Sequence, residues 1–207
     1  MFSLRKLAAA AVLTALCAPI TASAAGTMTS SKMAGVTMQA SRFSGPGVYT
    51  GKPALQVTLS MVMAGGGPAN FNTVTLLKAL TGQKFDAEVA KLTKQYGKDK
   101  VGNFLKVFDF VVSDTLRIVK EKQITLPSTP APDPHNGPAL AAALWAAGQT
   151  GNGFNVEVML DRAVSHPIHV QVMNDIDKKY GIAADADYHA ILTTAMKDLA
   201  SVYGLKS

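Results

Sequence analysis

The run Ser165-His166-Pro167-Ile168-His169 gathers half of the four histidines of the chain within four positions. An imidazole can ligate a transition metal, hold haem iron or exchange a proton near neutral pH. At i and i+3 on a helix the two rings share a face, so His166 and His169 are candidates for one divalent metal ion or one haem edge. His169 also falls in register with Val172, Met173, Ile176 and Tyr180, which turns it toward the core. A buried imidazole needs a hydrogen-bond partner or a ligand. Two readings therefore stand side by side. Either the pair ligates, or each ring bonds a backbone carbonyl or a carboxylate such as Asp161.

A third histidine, His189, is expected apart from the first two. Antiparallel pairing of the last two helices sets residues near 189 against residues near 177. His166 then lies about 11 residues up the helix, about 16 Å away. His189 is expected instead in a second polar cluster with Asp177, Asp185 and Asp187. Asp185 stands at i−4, a spacing that suits an ion pair with an imidazolium. A charge cluster at a helix start, favoured by the macrodipole, explains the same residues.

Other chemistries find less in the chain. A hydrolase would use a histidine as base with Ser165 or a carboxylate beside it. Ser165 and His166 are neighbours in sequence, a poor arrangement for a nucleophile and its base. Asp109 sits between Phe108 and Phe110, but the helical stripe puts it on the wet side with Lys106, so it is not taken as a catalytic acid. Gly65-Gly66-Gly67 lacks the Lys-Ser/Thr pair of a phosphate loop, and there is no nucleophile elbow and no HExxH. The run Asp175 to Gly181 starts like a calcium loop, but Lys179 stands where an oxygen ligand is needed. Met28, Met33 and Met38 lack neighbouring histidines, so tail composition explains them better than copper. Met61, Met63, Met159, Met173 and Met196 read as core filling.

These residues need elements to hold them. Phe85, Val89, Leu92 and Tyr96 recur at helical spacing before Gly97, a C-cap glycine. Val101, Phe104, Leu105, Phe108, Val111, Val112 and Val119 mark a long buried helix. Leu140 to Ala147 gives a short helix around Trp145, and Gly148, Gly151 and Gly153 a loop. Val156 to Val164 gives a helix, and Pro167 to Tyr180 the next, with Ser165 as N-cap and Gly181 as stop. Tyr188 to Val202 gives the last, stopped at Gly204. Pro53 to Met63 alternates like a strand but is read as a helix, because no downstream strand offers a partner. The expected fold is all-α, a compact bundle of about seven helices.

The chain has 207 residues, 48% of them apolar and 16% charged, with a formal net charge of +6. That balance excludes a disordered chain. A single cysteine excludes a disulfide-built fold. Residues 1–24 read as a secretory signal peptide: Arg5 and Lys6, an apolar run Leu7 to Leu16, then Ala22-Ser23-Ala24. The run is shorter than the ~20 residues that cross a bilayer. Leu16 before Cys17 argues against a lipoprotein signal. Cleavage near Ala24 would remove the thiol and two cations, taking the formal charge from +6 to +4, and would leave a periplasmic or secreted protein. No transmembrane segment is expected in the mature chain. Without an arginine-rich patch interleaved with aromatics, nucleic acid is not an expected partner. The residual charge would favour at most a weak association with anionic surfaces.

Residues 25–52 read as a flexible N-terminal arm and 53–120 as one helical half. Residues 121–138 read as a proline-rich linker or loop, and 139–207 as a second helical half, forming one domain with the first or hinged to it. His135 falls in the proline-rich stretch and reads as solvated.

From Ala87-Glu88-Val89 through Lys94-Gln95-Tyr96-Gly97, and then Ser165-His166-Pro167-Ile168-His169, Asp175-Ile176-Asp177, Lys179-Tyr180-Gly181, Ala184-Asp185 and Tyr188-His189, the chain resembles a set of uncharacterised exported bacterial proteins. The resemblance implies export, and it implies no activity. The final helices are also faintly similar to a truncated globin, with a histidine on an inward face. The expectation is an exported helical protein that binds a small ligand or partner between helices. The alternative is a metal- or haem-binding protein using His166 and His169, and the third is a hydrolase.

Overall fold

The computed structural model describes residues 52–206. The expected signal peptide, residues 1–24, lies outside them, as does the expected arm up to residue 51. The fold is all-α, with helices α1 (Lys52–Ala64), α2 (Thr73–Thr81), α3 (Phe85–Tyr96), α4 (Lys98–Glu121), α5 (Gly137–Ala147), α6 (Val156–Val164), α7 (His166–Tyr180) and α8 (Ile182–Tyr203). The ambiguous stretch 53–63 is thus helix. Between α5 and α6 the predicted loop carries a two-residue antiparallel ladder, β1 (Gln149–Thr150) with β2 (Gly153–Phe154). No described helix is long and apolar enough to cross a membrane.

Helix α4 is the centre of the bundle. Val101, Phe104, Phe108, Val111, Val112, Thr115, Ile118 and Val119 are buried along it, three or four residues apart. Such spacing gives an apolar stripe wide enough for several neighbours. Helices α2, α3, α7 and α8 all pack on it. The stripe opposite carries Asn103, Lys106, Ser113, Arg117 and Lys120, all exposed.

Helix α2 is absent from the sequence reading. It is nine residues long, and a residue outside it completes its N-terminus. Asn72 accepts a hydrogen bond from the Thr75 N–H, and the Asp109 carboxylate of α4 accepts from the Thr73 N–H at 2.7 Å and its hydroxyl at 2.6 Å. Orphan N–H groups at a helix start need such acceptors. Asp109 is therefore a half-buried cap joining two helices rather than a wet-side residue beside Lys106.

The proline-rich stretch runs from Lys122 to Asn136 as a loop tied down on both sides. Ile124 and Leu126 pack on the core, and the Ser60 hydroxyl of α1 donates to the Pro132 carbonyl at 2.8 Å. Helix α1 packs on α6, where the Thr58 hydroxyl donates to the Ala163 carbonyl at 2.6 Å. Helices from before and after the loop thus share one core.

Three single residues join consecutive helices: Gly97 between α3 and α4, Ser165 between α6 and α7, and Gly181 between α7 and α8. All three have φ between 85° and 89°. Ser165 stands at the cap position, as expected, but its side chain makes no capping hydrogen bond.

Candidate functional site

Helices α6, α7 and α8 bring their polar residues to one place. Asp161 and Glu157 are one turn apart on α6, and His166 and His169 lie in the first turn of α7. Asp185 and His189 are one turn apart on α8. The sharp corner at Ser165 sets the start of α7 against the end of α6. The corner at Gly181 then returns α8 along α7.

His169 is buried, at 4% exposure, and its Nδ1 donates to the Asp161 Oδ1 at 2.6 Å. His166 Nδ1 comes within 3.0 Å of the same oxygen, but not in line for a hydrogen bond. Burial pushes the Asp161 carboxyl up, yet its hydrogen bond to His169 and the nearby His166 imidazole more than offset this and hold it below the usual carboxylate range. An ionised carboxylate can only accept, so His169 carries a proton on Nδ1.

His189 repeats the arrangement. Its Nδ1 donates to the Asp185 carbonyl at 3.0 Å and lies 3.1 Å from the Asp185 carboxylate. Burial pushes the imidazolium down, but the Asp185 side chain and the Glu157 charge outweigh it and raise its pKa. Its Nε2 lies 3.1 Å from the Glu157 Oε1, out of line for a hydrogen bond, and the His169 Nε2 lies 3.8 Å from the Glu157 Oε2. One atom from each of Glu157, His169 and His189 falls within 4.8 Å of the others. The result is a row of alternating imidazoles and carboxylates: His166, Asp161, His169, Glu157, His189, Asp185. Three donors in it converge on a spot the size of a single ion.

The expected separation of His189 from His169 is corrected here. The sequence reading folds the last two helices so that 189 meets 177. In the fold His189 and His169 instead face the same Glu157 carboxylate, at 3.1 and 3.8 Å. His166 and His169 do meet, through Asp161 rather than through a common ligand position. Asp177 adjoins the far end of the row, where burial and then the Asp185 charge raise its pKa. Asp187 is not in the cluster; it pairs with Lys100 of α4 at 2.7 Å. Glu157 was missed. It stands at i−4 from Asp161, so a shared face was legible, but a glutamate in a first helical turn reads as a dipole-favoured charge.

A second feature lies between the helices. Every helix except α7 lines an apolar cavity of about 60 Å³. Its hydroxyl-bearing threonines turn away from it chemically. Thr58 donates to the Ala163 carbonyl, Thr81 to the Leu77 carbonyl and Thr115 to the Val111 carbonyl, so their hydroxyls are already partnered. Phe104, Phe108 and Tyr188 pack as an aromatic trio on one wall, with centroids 5.8 to 5.9 Å apart. Glu88 of α3 is the one carboxyl of the wall. Its pKa is pushed up to about 7, by burial first and then by the charge of Asp198 on α8, against the opposing pull of Lys91.

Compared with known proteins, the chain matches no family model, no curated protein and no solved structure.

Proposed function

We propose that this is an exported helical protein that binds a small apolar molecule in the cavity between its helices. One observation carries the reading: an interhelical cavity whose wall is almost wholly hydrocarbon, with its threonine hydroxyls already bonded to backbone carbonyls. Ligand sites are typically apolar hollows with a few convergent polar groups. Met61, Met159 and Met196 line it, and flexible thioethers adapt to varied ligand shapes. Export rests on the signal-like residues 1–24 and on the resemblance of the C-terminal part to exported bacterial proteins.

The test is uptake of an uncharged fluorescent amphiphile, 1-aminoanthracene, by the purified chain, with native mass spectrometry for any co-purified molecule. Ala195 lines the space and is only half-buried. Ala195→Trp should fill part of the cavity and weaken uptake at least about tenfold while the helical circular dichroism stays unchanged. A folded chain that takes up no probe, or a tryptophan variant that binds as well as the parent, would sink the reading.

A further inference from the structure

We infer that Glu157, His169 and His189 form a site for one divalent first-row transition-metal ion, with three protein ligands and a further position open to solvent. Two ring nitrogens in this cluster of three have no hydrogen-bond partner. His169 Nε2 and His189 Nε2 are buried and make no hydrogen bond among the described residues. Buried polar atoms nearly always have a partner, so a pair of orphans facing one carboxylate calls for one.

Their other nitrogens are already committed. Asp161 holds the His169 Nδ1 and the Asp185 carbonyl holds the His189 Nδ1. Metal-ligating histidines are held in this way, with the second nitrogen donating to a carboxylate or a carbonyl so that the ring is oriented and its free lone pair faces the ion. Ion pairing with Glu157 gives neither nitrogen a hydrogen bond. Glu157 lies 3.1 Å from one Nε2 without hydrogen-bond alignment, and 3.8 Å from the other, too far for a bond.

The spacing fits an ion. Metal bonds of about 2.0–2.1 Å at tetrahedral angles set donor atoms about 3.3 Å apart. The separations to the two Glu157 oxygens, 3.1 and 3.8 Å, lie near that value, and one donor atom from each of the three residues lies within 4.8 Å of the others. Two imidazoles and one carboxylate suit zinc and its neighbours rather than calcium or magnesium, which need mostly oxygen. The Glu157 side chain is 39% exposed, which leaves a route in from solvent.

The experiment is a cobalt(II) titration of the purified chain followed by visible absorption, then displacement with zinc. One equivalent of cobalt should give a d–d band that zinc abolishes. Glu157→Gln and His189→Gln should each weaken binding at least about tenfold, and His135→Gln, at an exposed loop histidine, should not. Zinc should also raise the unfolding midpoint of the unmutated chain, a readout that needs no variant to fold. A folded chain that binds neither ion, a midpoint unmoved by zinc, or binding that survives both ligand substitutions would overturn the site.

Discussion

At Ser165 the backbone adopts φ 85° and ψ 125°, a conformation that costs an L-residue of order 1–3 kcal/mol. The chain uses glycine for nearly the same geometry at Gly97 and Gly181. Ser165 is buried at 7% exposure and immediately precedes His166, so its conformation fixes the direction in which the first turn of α7 leaves α6. Relieving the strain should stabilise the fold. Ser165→Gly is expected to raise the free energy of unfolding by about 1 kcal/mol, the strain removed less the entropy that glycine adds to the unfolded chain. Urea denaturation measures this, and a fall in stability would show that the hydroxyl holds the corner by bonds that outweigh the strain. The partnership of His169 with Asp161 was legible at this scale, because a buried imidazole eight residues from a carboxylate, across a helix break, has few other acceptors.

Helices meet backbone to backbone where side chains vanish. Gly137 opens α5 against α2, and a Cβ placed there would lie 2.1 Å from the Ala79 carbonyl oxygen. Its φ is not positive, so the need for glycine is steric alone. Gly137→Ala is therefore expected to cost about 2 kcal/mol by overpacking, read as a lower thermal midpoint. An unchanged midpoint would mean that α2 and α5 slide apart without loss. Gly148 is tight for another reason: the Phe154 ring, stacked on Trp145 at 4.4 Å, occupies the place of its Cβ. The long helices were legible because each repeats its apolar residues every three or four positions. Helix α2 was not, since nine residues carry few repeats and its start depends on Asp109, thirty-six positions away.

Across the whole bundle, Glu88 links the cavity wall to the pairing of α3 with α8. Its carboxyl has a pKa of about 7 in the fold against 4.5 ordinarily, so the native state keeps a proton that the unfolded chain has lost between those values. Stability is then full below pH 4.5 and falls as the pH rises through 7. Glu88→Gln should flatten that slope and raise the unfolding midpoint at pH 8 relative to the parent. Parallel slopes for the two proteins between pH 5 and 8 would show that another group sets the dependence.

The sequence by itself determined the secondary structure of most of the described chain and the pairing of His166 with His169 on one helical turn. Both are local matters: helical period and i,i+3 spacing act within one element. Only the tertiary structure decided that Glu157 and His189 join His169, and that the helices leave an apolar space between them. Those outcomes depend on which helix faces which, and at what register. One residue at each corner, Ser165 and Gly181, turns each helix back onto the one before it.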